Sequence, residues 1–136
     1  MAPVPPTSRQ ITEWIDRTPA EVYEYASNPE NLPRWASGLG TAIENVDGRW
    51  FVETPSGRVG LVFAKRNAFG VLDHEVTLPS GEVIYNPMRV VPHGKGSEVI
   101  FSLRRLPEMT DEEFERDAGL VRADLTRLKH VLEGTG

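Results

Sequence analysis

Residues 110–133, TDEEFERDAGLVRADLTRLKHVLE, decide the fold. Thr110-Asp111-Glu112-Glu113 is a capping box: a threonine at the N-cap and a glutamate three residues on satisfy each other's backbone N–H groups. The acids also suit the positive end of the helix dipole. Behind them Phe114, Ala118, Val121, Leu125, Leu128 and Leu132 recur at intervals of 4-3-4-3-4. That spacing keeps one apolar stripe on one side of a helix of about five turns. A helix so long and so one-sided needs a broad apolar surface to lie against. The rest of the chain has to supply it.

Upstream, Thr18-Pro19-Ala20-Glu21 repeats the capping-box pattern with proline at the first helical position, predicting a helix to about Ser27. Asn28-Pro29 restarts the chain into a second short helix running through Leu32 to about Trp35. Between these helices and the last one lie strand-like runs separated by Asp47-Gly48, Ser56-Gly57, Ser80-Gly81 and Gly94-Lys95-Gly96. Strands joined by such short turns are antiparallel neighbours. With Arg9–Asp16 ahead of the first helix, the chain predicts an α+β fold: about seven antiparallel strands, curved around the C-terminal helix.

Turn lengths then assign faces, because residues opposite each other share a side of the sheet. Asp47-Gly48 pairs Asn45 with Trp50 and Ile43 with Val52. Ser56-Gly57 pairs Val52 with Leu61 and Trp50 with Phe63. A hairpin closed by Asn67–Gly70 pairs Phe63 with His74, Leu61 with Val76 and Val59 with Leu78. Ser80-Gly81 pairs Val76 with Tyr85, His74 with Pro87 and Leu72 with Arg89. A three-residue loop at Gly94–Gly96 pairs Val91 with Val99 and Arg89 with Phe101. The predicted inner face therefore holds Trp50, Leu61, Phe63, His74, Val76, Tyr85, Arg89 and Phe101. Glu53, Asp73 and Glu75 are predicted to face solvent.

At 136 residues the chain makes one domain, 9–136, after a flexible arm at 1–8 that carries prolines at 3, 5 and 6. It has no cysteine, which excludes disulfides, thiolate metal ligands and a cysteine nucleophile. A net charge of −5 offers no basic field for nucleic acid or anionic lipid. No apolar stretch reaches the length of a membrane span, and Met1–Pro6 lacks a signal-peptide profile, so a cytoplasmic protein is expected. His74, His93 and His130 fall without metal-ligand spacing, and no Gly-rich phosphate loop or nucleophile elbow is present. Neither a metal nor a cofactor is expected. A second copy of the chain is a candidate partner.

Several stretches resemble the SRPBCC superfamily, the helix-grip group that includes START lipid-transfer domains, birch-pollen-allergen-like proteins and polyketide cyclase/dehydrase proteins. Asn28-Pro29-Glu30-Asn31-Leu32-Pro33-Arg34-Trp35 looks like its opening helices. Gly70-Val71-Leu72-Asp73-His74, Pro87-Met88-Arg89-Val90 and Ala123-Asp124-Leu125-Thr126-Arg127-Leu128 resemble its bacterial single-domain members. The resemblance spans Arg9 to Glu133. It implies a pocket between sheet and last helix, with the short second helix near its mouth, and it brings no catalytic residues with it.

The expected function is binding of a small hydrophobic or amphipathic molecule, acidic or phenolic at one end. The candidate ligand contacts are Trp35, Trp50, Phe63, His74, Tyr85, Arg89, Phe101 and Val121. Arg89 either orients the ligand's acid or pairs with Asp117 or Asp124 on the last helix. His74 and Tyr85 are the acid–base candidates if the protein is instead a polyketide cyclase/dehydratase-type enzyme. Each also has a plainer role, in the pocket wall or the core. A chaperone-activator-like interaction domain is the third alternative. An empty dry pocket of about 300 Å³ would cost about 7 kcal/mol, so polar wall groups or a ligand must fill it. The stripe itself is testable: Leu125→Ala should lower stability by about 2–5 kcal/mol in urea unfolding. An unchanged midpoint would show that the stripe is not buried.

Overall fold

Thr18 and Thr110 both form the capping boxes their sequences encode. The Glu21 N–H donates to Thr18 Oγ1 at 3.2 Å and the Glu113 N–H to Thr110 Oγ1 at 3.1 Å. Helix α1 covers Pro19–Ala26, a 3-10 turn at Pro29–Asn31 leads into α2 at Leu32–Trp35, and α3 covers Asp111–Glu133. Gly134 ends α3 in the left-handed conformation, φ 74°. The computed structural model describes residues 6–36 and 43–134. Most of the predicted arm, residues 1–5, lies outside the described residues. Its last residues belong to the sheet: β1 begins at Ser8, and the Thr7 carbonyl accepts from Arg105 N–H at 2.9 Å.

Among the described residues there are eight strands: β1 (Ser8–Ile15), β2 (Ile43–Val46), β3 (Arg49–Thr54), β4 (Gly57–Phe63), β5 (His74–Thr77), β6 (Val83–Asn86), β7 (Met88–His93) and β8 (Gly96–Arg104). All pair antiparallel, in one sheet ordered β2-β3-β4-β5-β6 and another ordered β1-β8-β7. The predicted seven strands become eight because one of them breaks at Pro87, which has no N–H to give to a ladder. The break is bridged. The Leu72 N–H donates to Met88 O at 2.8 Å and the Val90 N–H to Gly70 O at 2.9 Å, so residues 70–72 continue the pairing beyond β5. Gly70 is required there: φ is 72°, and a Cβ would meet Val90 O at 2.2 Å.

At the break the side chains of two adjacent residues complete the hydrogen bonding. An antiparallel hydrogen-bonded pair normally exchanges two bonds. Between Leu72 and Met88 only the Leu72 N–H bond is made. The Met88 N–H instead donates to Asp73 Oδ1 at 2.9 Å, and the Leu72 carbonyl accepts from His74 Nδ1 at 3.0 Å. Asp73 Oδ1 also takes Arg89 Nη1 at 3.0 Å, and Asp73 Oδ2 accepts from the Tyr85 hydroxyl. Asp73 is buried, not solvent-facing as its parity predicts, because Arg89 and Tyr85 cover it on the convex side.

Three of the predicted registers need correction. The β3–β4 turn is Pro55-Ser56, giving Val52↔Val59 and Trp50↔Leu61, a two-residue shift that leaves every side chain on its predicted face. The β5–β6 loop is one residue longer than predicted: Leu78 N–H donates to Glu82 O and Val76 pairs with Ile84. The β7–β8 loop is one residue shorter, a two-residue turn at Gly94-Lys95 that pairs Val90 with Val99 and Met88 with Phe101. Both errors act on the same strand and invert it. Met88 and Val90 point inward and are buried, while Tyr85 and Arg89 stand on the convex face. The registers at Asp47-Gly48 and at Phe63↔His74 are as predicted.

The concave side receives α3. Phe114, Ala118, Leu125 and Leu128 are buried there with Ile11, Ile15, Leu61, Leu72 and Val99, and Val121 and Leu132 pack at the margin. Asp73→Ala would leave the buried Met88 N–H without its acceptor. The expected loss is about 1–3 kcal/mol in urea unfolding, and a stability equal to wild type would show that the sheet closes the break without this carboxylate.

Candidate functional site

Between the concave sheet and α3 lies a cavity of about 210 Å³. Leu61, Phe63, His74, Val76, Asn86 and Phe101 form its sheet wall, Leu32, Trp35 and Ala36 its second-helix wall, and Val121, Asp124 and Leu125 its α3 wall. Its surface is overwhelmingly apolar.

Alternation along each strand brings these side chains together. Phe63 faces His74 across β4–β5, and the His74 ring lies between Phe63 and Phe101, with centroids 5.2 and 5.9 Å away. His74 Nδ1 bonds the Leu72 carbonyl, which can only accept, so Nδ1 carries the proton and Nε2 of the neutral ring keeps its lone pair. Burial holds this imidazole below the ordinary value of 6.5, outweighing the opposing effects of the Leu72 bond and the Asp73 charge. His74 is therefore a neutral acceptor in an apolar chamber.

Helix α2 is tied to α3 by Arg127, whose Nη1 donates to the Trp35 carbonyl at 3.0 Å and pairs with Asp124 at 3.3 Å. Trp35 is thereby set against the cavity. Its indole Nε1–H is buried with no hydrogen-bond partner among the described residues. Asp124, the polar member of the α3 wall, has its charge matched by Arg127.

Trp35, Phe63, His74, Phe101 and Val121 thus meet around one cavity. Trp50 lies on the same face of the sheet but packs beside the cavity against the core. Tyr85 and Arg89 are elsewhere. They hold Asp73 on the convex face, where the hydrogen bond to Asp73 is the first cause of a raised Tyr85 pKa. Arg89 pairs with Asp73, not with Asp117 or Asp124. Leu32, Ala36, Asn86 and Asp124 line the cavity without having been singled out as ligand contacts. Asn86 was hidden by the inverted register of β6. Leu32 and Ala36 carry the i, i+3, i+4 signal around Trp35 that could have found them. No helix among the described residues is long and apolar enough to cross a membrane.

Because His74 is harder to protonate folded than unfolded, stability is full above about pH 6.5 and falls as the pH drops from there toward the lowered folded value. His74→Gln should remove that component. The urea midpoint of the variant should be less sensitive than wild type to a change from about pH 7 to about pH 5, whereas parallel profiles would show that the imidazole is not buried in the neutral form.

Residues 8–133 match the family described as polyketide cyclase / dehydrase and lipid transport. The fold is shared with XoxI from Bacillus cereus at 15% identity and a TM-score of 0.73, over 93% of this chain and 96% of that one. The Aha1 dimer from Colwellia psychrerythraea gives 15% identity and a TM-score of 0.73, over 95% and 98% of the two chains. Ara h 8.0201 gives 12% identity and a TM-score of 0.70, over 94% and 98%. At these identities the likeness is one of fold alone. No curated protein matches the sequence.

Proposed function

Since the chain belongs to the polyketide cyclase / dehydrase and lipid transport family, we propose that its cavity binds a small, uncharged, largely apolar molecule bearing a hydroxyl on a ring. The observation that carries this is the commitment of His74 Nδ1 to the Leu72 carbonyl. It leaves Nε2 as an acceptor among apolar walls, where a phenolic or enolic O–H is the complementary donor. A single ring suits the volume, since an apolar cavity of about 150 Å³ accommodates benzene. The unpartnered Trp35 N–H and the Asn86 amide offer further polar contacts for a ring substituent. With Arg89 engaged by Asp73 on the convex face, nothing favours a carboxylate ligand, and the phenolic alternative is the one retained.

The enzymatic alternative uses the same nitrogen. A neutral Nε2 with a lowered pKa can take a proton from an enol or phenol, and Asp73 contributes through the backbone position it fixes and through a charge that partly opposes the lowering. Tyr85, on the other side of the sheet, drops out as its partner.

Binding is tested with para-ethylphenol and ethylbenzene, followed by tryptophan fluorescence with Trp35 as the reporter in the wall. Wild type should prefer the phenol, and His74→Leu should reduce that preference by about tenfold, the effect of one hydrogen bond in an apolar site. Equal affinities for the two probes in wild type would remove His74 as the recognising group. Failure of both to bind would remove the cavity itself.

A further inference from the structure

A second pocket, of about 230 Å³, opens beside the first. Val76, Asn86, Phe101 and Val121 belong to the walls of both. One partition, built from β5, β6, β8 and α3, thus divides two spaces of similar size. The outer pocket continues with Ile84 and Leu103 from the sheet, Leu106 and Met109 from the segment before α3, and Leu120 from α3. These five are aliphatic or thioether side chains, and Leu120 is 49% exposed, so the pocket reaches solvent along the edge of β6. Its charged members, Arg104 and Asp117, are of opposite sign and together make no demand for an ionic group. Burial, the first cause, raises the Asp117 pKa, in keeping with an apolar surrounding.

We infer that the outer pocket is the second compartment of the same binding site, and that the ligand is an elongated amphiphile: a hydroxylated ring inside, with an unbranched aliphatic chain running past Val121 and Phe101 into the outer pocket. This rests on the reading that the inner cavity holds a ring. It goes beyond that reading because a ring already uses most of the inner volume, about 150 Å³ sufficing for benzene. A chain longer than two or three carbons exceeds what remains, and the outer pocket, which shares Val76, Asn86, Phe101 and Val121, is the adjoining apolar space. Val121 and Phe101 are then the residues that set the usable chain length.

The test is a series of para-alkylphenols from ethyl to octyl, titrated against wild type and Leu120→Asp. Leu120 lines only the outer pocket and is half-exposed, so the substitution spares the core. If the compartments are continuous, wild-type affinity keeps rising beyond propyl, by up to about fourfold for each methylene buried. In Leu120→Asp, para-octylphenol should weaken by about tenfold or more while para-ethylphenol stays within about twofold. Tightening that stops at propyl while para-ethylphenol still binds would overturn the two-compartment site and leave the inner cavity standing. Equal weakening of short and long phenols in Leu120→Asp would overturn it as well. Loss of binding of the whole series in wild type would instead be failure of the ring-binding reading on which it rests.

Discussion

The interaction on which the sheet depends is the incomplete hydrogen-bonded pair between Leu72 and Met88. One ladder bond is made, and the two groups left over are taken up by consecutive side chains on opposite faces, Asp73 below and His74 above. Buried backbone groups cannot be left unpaired without a penalty of about 1–3 kcal/mol each, so these side chains are held in place as firmly as the ladder they complete. The two sheets are joined here through the isolated bridge Val71↔Arg89. The proline that interrupts β6 and β7, the carboxylate that accepts the stray N–H and the imidazole that donates to the stray carbonyl are parts of one arrangement. His74 receives its tautomer and its aim from the same defect at which the two sheets meet.

The cavity is walled by the sheet on one side and by α2 and α3 on the other. The stripe of α3 is buried at Phe114, Ala118, Leu125 and Leu128, and Val121 and Leu125 also form the α3 wall of the cavity. Trp35, pinned through Arg127 to α3, closes one side. The polar groups in the wall are few, and each but the Trp35 indole and the Asn86 amide is tied to a partner that fixes it. An enclosure of this kind distinguishes ligands by where a hydrogen bond can be made more than by total apolar surface.

Helices and faces were legible to different degrees, for physical reasons. Capping boxes and the heptad-like stripe are local signals, and the helices fall where Thr18, Thr110 and Leu125 place them. Faces come from turn length, and a turn of one extra residue inverts a strand. For the strand containing Tyr85 and Arg89 the turn signals predict too short a loop before it and too long a loop after it. Because the two errors both inverted the same strand, the two registers agreed with each other. Composition held the missing clue. Met88 and Val90 are more apolar than Tyr85 and Arg89, and a buried arginine at the centre of a core has a desolvation cost that the alternative parity avoids. Asp73 faces solvent in the predicted register because the inverted parity puts Tyr85 and Arg89, its neighbours on the adjacent strand, on the other face. His74, Phe63 and Val121 are legible because the turn at Asp47-Gly48, the Phe63–His74 pairing and the helix stripe fix them without reference to that strand, whereas Phe101 keeps its predicted face because the two one-residue loop errors cancel.

The two-residue turn at Gly94-Lys95 has a consequence for how such a chain can diverge. Substitutions at its exposed positions touch little. An insertion or deletion of one residue there is a different kind of event, since parity passes down the strand to Met88, Asn86 and the Asp73 contacts. It would exchange Met88 for Arg89 in the interior in a single step, with no tolerated intermediate. Length changes should therefore be purged from this turn and collect where a chain segment carries no parity, as between β8 and α3. In a lineage of such proteins the spacing from Pro87 to Phe101 would outlast the identities of the residues between them.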